Sequence, residues 1–260
     1  MNMRQFVRKS YWILTEQVGL DPRKLLLSLR ALPGYLRDLR RFRAAYRGPL
    51  QITPCLHDRY AEGGTTDNEY FWQDLVVARM VFAARPARHV DIGSRVDGFV
   101  AHVASFREIE VFDVRPITST IPGVVFRQAD LMQPLATMAQ YCDSLSCLHA
   151  LEHFGLGRYG DPVDPEGYRA GLANMAQILQ PGGTFYLAVP VGQPRVEFNA
   201  NRVFDPVDML AQCRSLGLEL RELHLHTAGQ ALHRVDPTDS TLAAIAGTPY
   251  GLGLFVFGKS

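Results

Sequence analysis

The chain has 260 residues, a formal net charge of +1 and 47% hydrophobic residues. This length and composition suit one large α/β domain with a modest extension and exclude a wholly disordered chain. No apolar run reaches the roughly 18–20 residues that a membrane-spanning helix requires, and the apolar stretch Tyr11–Leu14 is too short for a signal-peptide core.

Charge is unevenly spread. Residues 1–50 hold eleven Lys/Arg against three Asp/Glu, so a basic arm precedes a mildly acidic body. Residues 1–47 read as helical in two or three pieces. Asp21-Pro22 opens one piece, because Asp caps a helix and Pro suits its first turn. Pro33-Gly34 is expected to break or bend the pattern. Beyond it Tyr35, Leu36, Leu39, Phe42 and Tyr46 recur at helical spacing among Arg37, Arg40, Arg41, Arg43 and Arg47. Such a basic amphipathic helix packs on the main domain, or it docks to an anionic membrane surface or a partner. Nucleic acid is not expected as a partner, since no recognised motif accompanies the charge.

Residues 48–68, with Pro49, Pro54, Gly63 and Gly64, read as a linker. The main α/β domain is expected over 69–260. Glu69–Ala84 is a helix with Phe71, Leu75, Ala78 and Phe82 on its apolar face, ending before Arg85-Pro86. Strands are expected at about 89–93, 109–114, 124–129, 143–149, 184–189, 218–226 and 252–258. Helices are expected at about 97–105, 165–179 and 206–216. This alternation implies a Rossmann-like, doubly wound, mostly parallel seven-stranded sheet covered on both faces. Only a long loop is read between the last two strands, which can pair antiparallel without a crossover helix. Of the four cysteines, Cys142 and Cys147 fall on a core strand, and none forms a CxxC pair. A reduced, cytoplasmic protein is expected.

The segment from His89 to Pro116, HVDIGSRVDGFVAHVASFREIEVFDVRP, carries the clearest functional signal. It reads strand, glycine turn, helix and second strand, with Asp113 at that strand's end. A glycine turn lets a ligand approach the backbone, and a helix start favours anionic groups. A carboxylate about 20 residues after the first strand can accept both ribose hydroxyls. A nucleoside-containing cofactor is therefore expected.

VDIGSR, the acid of FDVRP, the Asp of RQADL, the segment DSLSCLHALEHFG and the turn LQPGGTFYLAVP follow in order. Together they resemble the successive motifs of class I S-adenosylmethionine-dependent methyltransferases, over about residues 70–260. DIGSRVDGFVAH and EFNANRVFDP resemble, more narrowly, a bacterial methyltransferase-like family associated with surface-polysaccharide biosynthesis. The resemblance implies S-adenosylmethionine as cofactor. It puts Asp91, Gly93 and Ser94 at the methionine end, Asp113 at the ribose, Asp130 at the adenine amino group with Leu131 against the ring, and His149 near the sulfur. The sequence departs from the usual denser glycine turn. Arg95 stands there instead, and it either pairs with the cofactor carboxylate or blocks it.

Acceptor-binding groups are expected after the fourth and fifth strands, because open α/β sheets bind ligands at their C-terminal ends. Arg158 and Tyr159 follow the fourth strand; Arg195, Asn199 and Arg202 follow the fifth. This polar set suits a sugar or phosphorylated sugar, free or lipid-linked. His149 is the candidate general base, with Glu152 beside it; the alternative is a histidine and a glutamate that only shape the loop. His224 and His226 share a strand face, but no third ligand supports a metal. The leading expectation is O-methylation of a sugar or glycan precursor, at the cytoplasmic face of the membrane if the acceptor is lipid-linked. The alternatives are a catalytically inactive scaffold of the same fold in glycan assembly and an NAD-dependent oxidoreductase. The latter lacks its three-glycine fingerprint.

Overall fold

Apolar strands that alternate with helices from residue 69 onward must bury both sheet faces, and a layered α/β arrangement does so. The computed structural model describes residues 3–61, 63, 64, 66–134 and 137–260. Residues 1 and 2 of the expected extension, and 62 and 65 of the expected linker, lie outside the described residues, as do the side chains of Arg4, Gln5, Arg8 and Lys9. The chain divides into two compact units, Met1–Thr65 and Thr66–Ser260.

In the first unit, α1 (Met3–Trp12) runs into a π-helical turn, and α2 spans Pro22–Ala45. Asp21 caps α2 by accepting from the backbone N–H of Arg23 and Lys24. Contrary to the expected break, α2 continues through Pro33. Proline forgoes one i→i−4 hydrogen bond there without ending the helix. The expected linker also contains structure: a 3-10 turn, His57–Tyr60, packs on α2. Arg59 grips Asp38 Oδ2 through Nη1 at 3.1 Å and Nη2 at 3.0 Å, and Arg30 lies over the Tyr60 ring.

The second unit begins with α3 (Glu69–Ala84), capped by Asn68 and ended by Arg85 in the left-handed region, just before Pro86. Its buried face is Gln73, Asp74, Val77, Ala78 and Val81. Of the expected face, Ala78 is buried and Leu75 half-buried, whereas Phe71 and Phe82 are turned outward. The helix is rotated to put Asp74 against Gly98, where any Cβ would collide with the carboxylate.

Then follow β1 (His89–Ile92), α4 (Ala101–Ala104), β2 (Ile109–Asp113), β3 (Val124–Gln128), β4 (Cys142–Leu148), α5 (Gly167–Ile178) and β5 (Leu179–Val191). A small hairpin, β6 (Arg195–Glu197) and β7 (Asn201–Val203), precedes α6 (Pro206–Ser215) and β8 (Leu218–His226). The chain ends with β9 (His233–Val235), α7 (Asp239–Ala246) and β10 (Gly251–Lys259). The main sheet runs in the order β3-β2-β1-β4-β5-β10-β8-β9. The seven expected strands are present, with β1 to β5 paired parallel and β10 inserted antiparallel between β5 and β8. The expected long loop before β10 instead holds edge strand β9 and helix α7, which Thr238 caps.

Side chains alternate between the faces, as strand periodicity requires. Phe185, Leu187 and Val189 of β5 join Leu172 and Met175 of α5, Met209 of α6 and Leu242 of α7 on one face. Tyr186 and Ala188 join Val77 and Val81 of α3 on the other. Strand order reverses between β1 and β4. At such a switch point the loops diverge and open a crevice above the strand ends.

Candidate functional site

A cavity of about 510 Å³, counting the open solvent at its mouth, lies at that crevice. The C-terminal ends of four neighbouring strands line it. They supply Ile92 and Gly93 after β1, Phe112, Asp113 and Arg115 after β2, Ala129–Met132 after β3, and His149 and Ala150 after β4. His153, Phe154, Tyr159 and Asp161 close its far side. Five expected site residues therefore meet in one place: Gly93, Asp113, Asp130, Leu131 and His149. Tyr159 of the expected acceptor set joins them.

Gly93 has φ +69° and, if given a Cβ, would press to 3.0 Å against the Ala150 Cβ. The backbone thus forms a shallow cradle that only glycine leaves open. Ile92, Phe112, Ala129, Leu131 and Ala150 give the cavity apolar walls. Asp113 and Asp130 stand at its polar rim, and Asp130 Oδ1 also accepts from the Met132 N–H at 2.9 Å. Apolar walls between two carboxylates suit a flat base carrying a diol-bearing sugar. Among the described residues, no group of three or more His, Cys, Asp or Glu is arranged to hold a metal.

Three residues expected at the cofactor face elsewhere. Asp91 is fully buried and does not line the cavity. Its carboxylate accepts from the Ser94 N–H at 3.0 Å, the Ser94 Oγ at 2.6 Å and the Ser146 Oγ at 2.5 Å. Burial pushes its pKa up to about 7, against those hydrogen bonds. Ser94 is consumed by the same network, since its Oγ also accepts from the Leu148 N–H. Arg95 neither grips nor blocks the cavity. It forms a two-pronged pair with Asp97 and lies over the Tyr70 ring at 5.1 Å. Asp91 and Ser94 thus tie β1 to β4 and hold the turn from below.

The expected acceptor residues also divide. Arg202 is 5% exposed and donates to the carbonyls of Glu152, Phe154 and Pro165, so its guanidinium clamps the loop after β4 and is not free for a phosphate. Arg195 is spent on Glu197, Gln193 O and Pro249 O. Asn199 is exposed at the hairpin turn and does not line the cavity. Arg158 donates to Ala200 O at 2.7 Å and approaches His153 Nδ1 at 3.4 Å, joining the β4 loop to the hairpin.

His149 has φ +53°, a left-handed conformation uncommon outside glycine, although His, Asn and Asp adopt it more often than other residues. That backbone turns its ring into a carboxylate cluster. Nδ1 meets Glu152 Oε1 at 2.6 Å, and Nε2 stands 3.4 Å from Glu69 Oε1 without aligned hydrogen-bond geometry. Tyr250 donates to that same Glu69 oxygen at 2.6 Å, and Tyr70 packs on the imidazole, centroids 4.7 Å apart. Burial alone would lower the His149 pKa, but Glu152 and Glu69 outweigh it and raise it to about 9. The ring is therefore protonated near neutrality, whereas the expected base needs a neutral one. Glu152 is 1% exposed, lies behind the ring and does not line the cavity, so it orients the histidine.

Sequence reasoning missed Glu69, Tyr250 and the action of Arg115. Glu69 starts α3 and Tyr250 precedes β10, so only closure of the sheet brings them to His149. Arg115 was visible in FDVRP, two residues beyond Asp113, at a spacing that permits a local ion pair.

A family described as "Caenorhabditis protein of unknown function, DUF268" matches residues 123–217, less than half of the chain. No curated protein matches it. Among solved structures, the chain is similar to Burkholderia thailandensis 1,6-didemethyltoxoflavin-N1-methyltransferase, bound to 1,6-didemethyltoxoflavin and S-adenosylhomocysteine. Identity is 15%, coverage is 73% of this chain and 79% of that one, and the TM-score is 0.52. It is also similar to the YcgJ protein of Bacillus subtilis at 12% identity, with 72% of this chain and 97% of that one covered and a TM-score of 0.50. With the strand order and the crevice at its reversal, these likenesses establish that the larger unit has the Rossmann-like fold of class I methyltransferases.

Proposed function

We propose that this chain is an S-adenosylmethionine-dependent methyltransferase acting on a hydroxyl of a sugar or glycan precursor. The observation that carries the reading is the joining of Gly93, Asp113, Asp130 and Leu131 around one apolar-walled cavity. The solved methyltransferase cited above, with S-adenosylhomocysteine in the same fold, supports the choice of cofactor. The residues fit the group. The Gly93 cradle leaves room that a Cβ would fill, Asp113 has the chemistry to accept a ribose diol, and Leu131 offers an apolar face to a purine.

When bound, S-adenosylmethionine would supply an electrophilic methyl group. The chain's own part is to hold the reactants in line and to manage the acceptor's proton. His153, Tyr159 and Asp161 give the far wall polar groups suited to a sugar. His149, once neutral and once Glu69 has moved aside to uncover the buried Nε2, could take a hydroxyl proton there while Glu152 holds Nδ1. Glu69 opposes that state by favouring the imidazolium. The association with surface-polysaccharide assembly belongs to the same proposal and rests on the motif resemblance.

Calorimetric titration with S-adenosylmethionine and S-adenosylhomocysteine tests the cofactor, with micromolar binding expected. Incubation with nucleotide sugars and lipid-linked glycans then tests the acceptor, read as S-adenosylhomocysteine release and a methylated product. Absence of binding at millimolar concentration overturns the enzyme. It would favour a catalytically silent scaffold of the same fold, a reading to which one observation lends weight: Arg115 already occupies Asp113.

A further inference from the structure

We infer that α2 is a docking surface for an anionic lipid bilayer, through the leucine stripe Leu25, Leu29, Leu32 and Leu36. These positions follow one another at alternating spacings of four and three, so they share one helix face. All four are exposed, Leu25 by 62% and Leu29 by 59%, with Leu26 beside them at 66%. The first unit covers a different face of the same helix. Its 3-10 turn sits at Arg30, Gly34 and Asp38, through the Tyr60 ring and the Arg59 guanidinium. The only fully buried residue of α2 is Ala31. The stripe is therefore apolar surface that its own unit leaves uncovered.

Charge selects the occupant. Within α2, seven Lys/Arg stand against one acid, Asp38, which Arg59 already neutralises. A second copy of the helix could meet a stripe with this spacing, but it would bring the same charge and no acidic flank to answer it. An anionic bilayer answers both features. Leucines enter the acyl boundary, and arginine stems run along the apolar surface while their guanidinium groups stay among the phosphates. Each basic residue near such a surface adds attraction that salt screens. No helix among the described residues is long and apolar enough to cross a membrane, so the contact is one of lying on the surface. This inference is independent of the chemistry proposed for the cavity.

The test is co-sedimentation of the full chain with vesicles of phosphatidylcholine, alone or with about 30 mol % phosphatidylglycerol. Binding is expected to the anionic vesicles only, with release at about 0.5 M salt. Leu29→Ser with Leu36→Ser should weaken partitioning at least about tenfold, with far-UV circular dichroism unchanged. If that variant loses helicity, Arg40→Glu with Arg43→Glu decides, since these two continue the stripe's spacing, and the change keeps the leucines and must abolish the preference for anionic lipid. The inference is overturned if the wild type stays in the supernatant at low salt, if it binds neutral vesicles equally, or if the variants sediment like wild type. It is also overturned if light scattering shows a dimer that the leucine variant dissociates and that ignores vesicles, because a second copy then covers the stripe.

Discussion

The guanidinium of Arg115 holds both carboxylate oxygens of Asp113, with Nε 3.0 Å from Oδ1 and Nη2 2.6 Å from Oδ2. Arg115 also lies over the Tyr159 ring at 4.3 Å, so one side chain bridges the loop after β2 and the loop after β4 across the cavity. A ribose diol seeking Asp113 must displace this pair. The Arg115 side chain is 44% exposed and the Asp113 side chain 9%, so the pair opens on the arginine's side and leaves a buried carboxylate that needs a replacement donor. Asp113→Ala should weaken S-adenosylhomocysteine at least about tenfold, through loss of charge-assisted hydrogen bonds. Arg115→Ala should tighten it about threefold to tenfold, by removing the competitor. A weaker complex for Arg115→Ala, measured by calorimetry, would mean that Arg115 itself contacts the ligand.

Asp91 and Asp113 look interchangeable as strand-end acids, but the fold separates them. Asp91→Ala strands the Ser94 N–H, the Ser94 hydroxyl and the Ser146 hydroxyl inside the sheet. A loss of about 2–4 kcal/mol is expected, visible as a drop in Tm of about 5–10 °C. Asp113→Ala should leave Tm within about 2 °C, because its partner Arg115 can turn to water. Equal drops for both variants would show that Asp113 is also structural.

The sheet was legible in the sequence because apolar runs, glycine turns and helix caps agree from residue 89 to residue 226. Cavity residues that sit directly at strand ends, Gly93, Asp113, Asp130 and His149, were legible for the same reason. Local pattern failed where direction mattered. VDIGSR does not reveal that the Asp91 carboxylate is taken up by Ser94 and by Ser146 of β4 while the chain turns at Gly93 toward the cavity, because that depends on the pairing of β1 with β4. Nor does it reveal that Arg202, which reads as a phosphate ligand, would be consumed by three carbonyls of a distant loop. Helix α7 was hidden because its short apolar run, Leu242–Ala246, follows a proline-marked loop and has little periodicity of its own.

The His149 cluster should give stability a distinct alkaline limb. The folded state raises the His149 pKa from 6.5 to about 9, so it binds the proton more tightly than the unfolded chain does. The resulting stabilisation is complete below about pH 6.5 and is lost as pH rises through about 9. His149→Gln should lower Tm at pH 6 by on the order of 10 °C, since it leaves the buried Glu152 carboxylate without its cation. The gap to wild type should narrow by pH 10. A gap that stays constant over that range, followed by differential scanning fluorimetry, would show that His149 does not change protonation with folding.

The same electrostatics set the expected course of activity with pH. If His149 accepts the proton of a hydroxyl acceptor, only its neutral form works, and kcat should climb from pH 7 toward a plateau above about 9. Glu69 is the lever. Its carboxylate stands 3.4 Å from Nε2 and favours the imidazolium, whereas Glu152 holds the other nitrogen. Glu69→Gln keeps the size and the acceptor oxygen for Tyr250 while removing the charge. It should lower the His149 pKa, shift the rising limb to lower pH and raise kcat at pH 7 by about threefold to tenfold. Glu152→Gln should act differently, because it also loosens the orientation of the ring, and kcat should fall at every pH. A Glu69→Gln profile that keeps the wild-type midpoint removes His149 from the proton path. A wild-type rate that falls through pH 9 does the same and assigns the working role to the cation.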